Sequence, residues 1–217
     1  MRRSAPVAAA VAVAASLVLT GCGGGDSGKD TDSDKIAGVD SGDPTTSAAP
    51  SPSMGGATRP DMTLPGDVKE SFENWKTGDA TEDAALADAG KAQTAVTYSV
   101  TQGDPESPAL AFYQAGTALA GSQDWVKSIV DADLTYSGSV RYYAAKVSVF
   151  DKKTAGVSYC ADESKAYNKN RKTNKVDKTP ATADSYVLYS THLQLNDKGV
   201  WQTTKLESER GNKVCTP

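Results

Sequence analysis

The hydrophobic periodicity of the chain changes near Leu134, and this change limits the folds that the sequence can adopt. Before this point, apolar residues recur every three to four positions, as in a helix that buries one face. After it, they alternate with polar residues, as in half-buried strands. Helices followed by a sheet are typical of the α+β class, in which helices cover one face of an antiparallel sheet.

The helical half predicts four helices, which start at Asp67, Thr81, Ser107-Pro108 and Ser122. The first combines a capping box of Asp67 and Glu70 with apolar residues at helical spacing, and Gly78 follows at its expected end. Glu82 and Asp83 favour the start of the second, and Pro108 occupies the first position of the third.

The second half predicts four strands, over residues 140–150, 154–162, 185–195 and 200–209. The apolar positions of the first strand change face between Tyr142 and Val147, which indicates a bulge or a strong bend. Residues 163–179 are predicted to form a long polar insertion. The sequence therefore predicts N-terminal helices packed on a strongly bent, four-stranded antiparallel sheet with the shape of a cone.

The N-terminus has the composition of an export signal. Arg2 and Arg3 precede an apolar stretch of about fifteen residues, which is shorter than the roughly 20 that a membrane-spanning helix needs. The segment Leu19-Thr20-Gly21-Cys22 that follows resembles the bacterial lipobox. That resemblance implies removal of residues 1–21 and a diacylglycerol on the sulfur of Cys22, whereas an ordinary signal peptide would leave Cys22 unmodified.

The segment after Cys22 predicts a tether. Residues 22–61 are rich in Gly, Ser, Asp, Thr, Pro and Ala. A segment of this composition buries too little apolar surface to offset the conformational entropy that it would lose on folding. Residues 62–217 have the length of one ordinary domain. The formal net charge of −4 becomes more negative when Arg2 and Arg3 leave with the signal, and this argues against a nucleic-acid partner.

Two cysteines remain when Cys22 carries lipid. Export places Cys160 and Cys215 in an oxidising compartment, where such a pair usually forms a disulfide. The alternative is two separate buried thiols. A redox role would need a reactive thiolate or a Cys-X-X-Cys pair, and the sequence has neither.

Short motifs in the second half carry a family resemblance. They are Gly138-Ser139-Val140, the stretch 157–162, Gly199-Val200-Trp201 and Cys215. With the order of elements, they resemble the nuclear-transport-factor-2-like superfamily, the ketosteroid-isomerase-like cone fold, and specifically secreted actinobacterial lipoproteins that carry this domain. The resemblance implies a shared cone with many binding roles and a few enzymes, and it assigns no activity because function resides in the site.

The candidate pocket of such a cone is aromatic, and we predict that Tyr142, Tyr159, Tyr189 and Trp201 line it. We predict no catalytic residues, no metal and no cofactor. His192, the single histidine, cannot build a zinc site alone and is interpreted as a surface residue. The predicted function is a lipoprotein on the outer face of the cytoplasmic membrane, which binds a small apolar ligand or an envelope protein without catalysis.

Two other function classes stay open. One is an isomerase- or lyase-like enzyme that uses a tyrosine and a carboxylate such as Asp162 inside the cone. Its candidate tyrosines are Tyr136, Tyr142, Tyr143, Tyr159, Tyr186 and Tyr189. The other is a structural accessory of envelope complexes. The basic segment 163–179 could hold an anionic partner, or its charges could simply be solvated.

Overall fold

The computed structural model describes residues 57–217 of the chain. The predicted leader 1–21, the lipid site Cys22 and most of the predicted tether 22–61 lie outside the described residues. The regular elements, in chain order, are β1 (Val68–Phe72), α1 (Ala80–Gln102), α2 (Pro108–Tyr113), α3 (Gly116–Asp131), β2 (Leu134–Val149), β3 (Thr154–Asn170), β4 (Val176–Asp177), β5 (Tyr186–Leu195) and β6 (Trp201–Arg210).

The strands form one curled sheet in the order β1-β2-β3-β5-β6, and β4 pairs with β3. The strand β1 is parallel to β2, and the other neighbouring strands are antiparallel. The three helices pack on this sheet, and α1 lies against β2 and β6. The α+β class and the helices on a bent sheet are therefore confirmed, but the sheet has six strands and not four.

The predicted helix at Asp67 is wrong, because this segment forms the strand β1. Val68, Glu70 and Phe72 are the more buried residues of β1, and they alternate with exposed side chains. Parallel pairing with β2 over Val68–Phe72 fixes the extended conformation. Because residues 68 and 72 share a face in both a helix and a strand, the apolar spacing did not distinguish the two.

The predicted helix at Thr81 is confirmed as α1. Asp79 caps it, since its side chain accepts hydrogen bonds from the backbone N–H groups of Thr81 and Glu82. The start of α2 at Pro108 is also confirmed. The start predicted at Ser122 is wrong, because Ser122 is buried within α3 and the helical region breaks at Gln114, which bridges to β6.

The first long strand bends where the sequence predicted it. The register between β2 and β3 shifts between Tyr143 and Lys146, and Ala144 has a positive φ of 52°. A second register shift lies between Ser139 and Arg141, next to Gly138, whose φ is 96°. Together they curl the sheet around α1.

The predicted insertion 163–179 is mostly regular structure. The strand β3 does not end at Asp162 but continues to Asn170, and its polar end pairs with β2 on one side and β4 on the other. Backbone pairing on both sides stabilises a strand whose side chains are largely polar, and such a strand lacks an apolar alternation.

The core has two parts. One lies between α1 and the sheet, with Leu86, Tyr142, Tyr159 and Trp201 among its buried residues. The other joins the three helices around Leu110, Tyr113 and Val126. Within residues 57–217, no helix has both the length and the hydropathy that a bilayer crossing requires.

Candidate functional site

A cavity of about 300 Å³ lies inside the curled sheet, between the sheet and the helices. Residues of both the helices and the strands form its wall. Its main side chains are Val68, Glu70, Gln93, Val96, Thr97, Trp125, Ile129, Tyr136, Val140, Tyr142, Glu163, Tyr189 and Arg210. The volume lies at the lower end of the range of small-molecule sites, which is about 300–1,000 Å³.

One wall of the cavity carries a carboxylate that is held by hydroxyl groups. Glu70 is partly buried on β1, and its two oxygens accept hydrogen bonds from Thr94 at 2.8 Å and Thr97 at 2.6 Å. The two threonines lie one helical turn apart on α1, which places both hydroxyls against β1. Burial raises the pKa of the Glu70 carboxyl, although the hydrogen bonds from Thr97 and Thr94 and the charge of Lys91 act in the opposite direction.

A second carboxylate is neutralised within the chain. Arg210 donates to Glu163 at 2.7 Å and to the backbone carbonyl of Asp184 at 3.1 Å. The hydroxyl of Tyr189 lies 3.4 Å from the other Glu163 oxygen. Both Arg210 contacts use Nη1, and the positive charge of Arg210 is balanced by Glu163.

The aromatic side chains of the cavity are neutral hydrogen-bonding groups. Trp125 donates its indole N–H to the hydroxyl of Tyr136 at 2.9 Å, and burial raises the pKa of Tyr136 to about 12. Burial also raises the pKa of Tyr142 and of Tyr189 well above the ordinary phenol value. All three phenols are therefore protonated at neutral pH.

Trp125 stands between this cavity and a second one of about 310 Å³. The second cavity lies between α3 and β6, and the two share Gln93, Val96, Trp125, Tyr189 and Arg210 as walls. The indole is half exposed at 48 %. A side-chain rotation of Trp125 would therefore change the separation of the two cavities.

The four predicted pocket residues are only partly brought together. Tyr142 and Tyr189 line the main cavity. Tyr159 is buried behind them, where its ring stacks on Tyr189 and its hydroxyl accepts a hydrogen bond from Gln93. Trp201, in contrast to the prediction, does not line the main cavity. It packs in the core and lines a separate surface groove with Val149 and Leu195.

Other candidates from the sequence lie away from the cavity. Asp162, proposed for the enzyme alternative, instead pairs with Arg141 at 3.3 Å and is not among the cavity residues. His192 is exposed on β5, with its ring 5.7 Å from that of Phe150. Within residues 57–217, no group of three His, Cys, Asp or Glu side chains is arranged to hold a metal ion.

The predicted disulfide between Cys160 and Cys215 is present, with 5.5 Å between the two Cα atoms. Both cysteines are buried, at 1 % and 3 % exposure. The hydroxyl of Tyr143 contacts the backbone carbonyl of Cys215, which further holds the C-terminal segment on the sheet. The bridge has a structural role, since neither sulfur is accessible to a redox partner.

The basic segment 163–179 uses half of its six cationic side chains within the chain. Lys169 pairs with Asp67 at 2.6 Å, and Lys172 pairs with Asp133 at 2.6 Å. Arg171 donates to backbone carbonyls at the end of α1 and at the start of β2. The two ion pairs neutralise Lys169 and Lys172, and the Arg171 contacts hold its side chain against the fold.

Sequence reasoning missed two of the carboxylates that line the cavity, Glu70 and Glu163. The capping-box pattern predicts a helix at Glu70, although its alternation with Val68 and Phe72 also fits a strand that points it inward. The polar composition around Glu163 predicts an insertion. The helix predicted from Ser122 contains Trp125, and no signal in its neighbours connects it with Tyr136, which lies eleven residues later in the chain.

Neither a protein-family model nor a curated protein matches this sequence. Among solved structures, a ketosteroid isomerase-like protein from Erwinia carotovora atroseptica is 19 % identical, with a TM-score of 0.40 over 58 % of this chain and 93 % of that chain. The intermembrane space region of chloroplast protein ARC6 is 15 % identical, with a TM-score of 0.35 over 58 % and 94 % of the two chains.

Likenesses at this level transfer neither site residues nor an activity to this chain. The resemblance of the folded part to the ketosteroid-isomerase-like cone rests on the sequence motifs and on the order of the elements. The actinobacterial lipoprotein part of that resemblance stays a prediction.

Proposed function

We propose that this chain is a lipid-anchored binding module outside the cytoplasmic membrane, which holds a small amphipathic molecule in its main cavity without transforming it. The observation that carries the proposal is the cavity of about 300 Å³, with aromatic walls and a few convergent polar groups. This combination is the usual composition of a small-molecule site.

The polar groups of the cavity support binding without catalysis. Glu70 is held by two threonines, Glu163 is neutralised by Arg210, and Gln93 is bonded to Tyr159. Groups that are fixed in this way orient a ligand at little entropic cost. The proposal refines the predicted apolar ligand, because these groups require a ligand with at least one polar end.

An extracytoplasmic location is supported by the bridge between Cys160 and Cys215. Disulfides persist in oxidising compartments and are rare in the cytosol. The lipobox-like segment that ends at Cys22 accounts for both export and anchoring, since two acyl chains give stable membrane attachment.

A second candidate function is proton transfer by Glu70. The specific observation is that burial raises the pKa of this carboxyl in a cavity that Tyr142 also lines. General bases are often tuned upward in this manner. The two functions differ in whether a bound molecule leaves the cavity chemically changed.

The binding proposal is tested by native mass spectrometry of the protein extracted from its own membrane. We expect a mass that corresponds to diacylglyceryl modification at Cys22, one disulfide, and a small retained molecule. Incubation of that molecule with fresh protein, followed by its recovery, separates the two functions. Unchanged recovery supports binding, and conversion that is lost in Glu70→Gln supports the enzyme.

A cavity-filling variant assigns the retained molecule to the cavity. Val96 is partly buried and lines both cavities, so Val96→Phe should remove the ligand. The matched control is Val214→Phe at a position that is 75 % exposed, which should keep it. Retention of the ligand by a folded Val96→Phe variant would place the molecule elsewhere and contradict the proposal.

The anchoring proposal has its own test. Cys22→Ser should move the protein from the detergent phase to the aqueous phase in a detergent partition, while the disulfide between Cys160 and Cys215 stays formed. A wild-type protein that partitions like Cys22→Ser would overturn the membrane address and leave the binding proposal standing.

A further inference from the structure

We infer that the main cavity selects a cationic, amine-bearing molecule over a neutral or anionic one of the same shape. The inference rests on the binding function proposed above and adds the chemical class of the ligand. It follows from the balance of charges in the cavity wall and from the groups that remain free to contact a ligand.

Acidic groups outnumber basic groups around the cavity. Glu70, Glu163 and Asp177 contribute to its lining, whereas the cationic residues are Lys69 and Arg210. Arg210 is engaged by Glu163 and by a backbone carbonyl. Lys69 and Asp177 are both exposed, and their opposite charges offset each other. The charge that remains for a ligand is therefore that of Glu70, which is negative.

Glu70 is the group best placed to receive a cation. The hydroxyls of the buried residues Thr94 and Thr97 each occupy one acceptor position of its carboxylate. A carboxylate has about four such positions, so roughly two are left for a donor in the cavity. The threonines also fix the orientation of the carboxylate before a ligand arrives.

The aromatic side chains favour the same kind of ligand. Trp125, Tyr136, Tyr142 and Tyr189 contribute to the lining, and the faces of such rings attract cations through their negative quadrupoles. An ammonium group can therefore lose water at a modest cost inside this cavity. A carboxylate ligand would be repelled by Glu70, since the charge of Arg210 is already balanced by Glu163.

Three probes with one ring and different charges test this inference: benzylamine, benzyl alcohol and benzoate, each titrated near neutral pH. The readout is the indole N–H signal of Trp125 in proton–nitrogen spectra of the labelled full chain, assigned with Trp125→Phe. We expect benzylamine to bind at least about fivefold more tightly than benzyl alcohol, and benzoate to bind most weakly.

Glu70→Gln isolates the charge of the carboxylate, because it should bring the affinities of benzylamine and benzyl alcohol to within about twofold of each other. The matched control is Glu73→Gln, three residues further along the chain, where the carboxylate pairs with the partly exposed Arg141. This variant should keep the wild-type preference.

A second variant keeps the test decisive if Glu70→Gln does not fold. Glu163→Gln frees Arg210 and should strengthen benzoate binding relative to benzylamine. Equal affinities in the wild type, tightest binding of benzoate, or an unchanged preference in folded Glu70→Gln would overturn the inference and leave the binding function intact. If no probe moves the Trp125 signal, the binding function fails together with the inference.

Discussion

At the residue scale, Glu70 connects the chemistry of the cavity with the stability of the fold. Its carboxyl is partly buried, and burial raises its pKa above the ordinary value of 4.5 against the opposing influence of Thr97, Thr94 and Lys91. Between that ordinary value and the raised folded value, the native state binds more protons than the unfolded state. The free energy of unfolding must therefore fall as the pH rises through this window.

We predict that Glu70→Gln removes this decrease. Urea unfolding at several pH values between about 4 and 7 should show that the wild type loses stability relative to Glu70→Gln as the pH increases. Glu73→Gln is the control, because its carboxylate lies outside the cavity and pairs with Arg141 at 3.0 Å. A wild type that gains stability over Glu70→Gln with rising pH would contradict the prediction.

Arg59 is a partly exposed residue that we expect to contribute more to stability than exposed side chains usually do. Its guanidinium pairs with Asp88, whose side chain is only 2 % exposed, and it also lies 5.8 Å from the ring of Tyr113. Asp88 in turn accepts a hydrogen bond from the backbone N–H of Trp201 at 2.9 Å. One buried carboxylate thus joins the segment before β1, the helix α1 and the start of β6.

Removal of this cation should be costly for a surface residue. Arg59→Ala leaves Asp88 buried with one partner fewer, and we expect a loss of about 1–3 kcal/mol in the free energy of unfolding. Lys127→Ala, which breaks an exposed pair with Asp131, should cost about 0.5 kcal/mol or less. Chemical denaturation of both variants checks the contrast. Equal losses in the free energy of unfolding would contradict the prediction that the contact with buried Asp88 stabilises more than an exposed ion pair.

At the element scale, the shape of the cavity depends on how β2 is bent. Gly138 has a φ of 96° and lines the cavity. A Cβ atom at this position would lie 2.0 Å from the backbone oxygen of Lys165 on β3. Both the backbone conformation and the close approach of β3 therefore require glycine.

Gly138→Ala should lower the free energy of unfolding by about 2–4 kcal/mol, since strain and overpacking act together. Gly121 provides the matched control within α3, because a Cβ atom there meets open space. Gly121→Ala should raise stability by up to about 1 kcal/mol through helix propensity. Thermal unfolding of the two variants gives the comparison, and a Gly138→Ala protein as stable as the wild type would refute it.

The agreement of local signals within an element explains which elements the sequence predicts well. The helix α1 has a cap at Asp79, a buried face and Gly103 at its end, so all local signals agree. The second half of β2 and most of β5 and β6 likewise alternate. In contrast, β1 is five residues long, and only its parallel pairing with β2 determines its conformation.

The cavity was harder to predict than the fold for a related reason. Aromatic residues on strands favour a pocket in general terms, and two of the four candidates, Tyr142 and Tyr189, line it. The charged groups come from elements whose structure depends on tertiary pairing, namely β1 for Glu70 and the polar part of β3 for Glu163. A sequence without an alignment carries no signal that joins these residues across the sheet.

At the scale of the whole molecule, the bridge between Cys160 and Cys215 ties the middle of the sheet to the C-terminal segment. It spans 55 residues of sequence, which include the end of β3 and all of β4, β5 and β6. Such a closure lowers the entropy of the unfolded chain and is worth about 4 kcal/mol in the chain-entropy model. Neither cysteine is among the residues that line the main cavity.

We therefore predict that stability and binding separate in the double variant Cys160→Ala/Cys215→Ala. Its free energy of unfolding in urea should be lower by about 2–5 kcal/mol, while the Trp125 indole signal of the folded protein still responds to benzylamine. Cys22→Ser is the control that removes a cysteine and keeps the bridge, so its unfolding should match that of the wild type. Loss of the Trp125 response in a double variant that is still folded would mean that the bridge shapes the cavity as well as the fold. Because both bridged cysteines are buried, the native wild type should also keep its disulfide in mild reductant and lose it only when urea unfolds the chain.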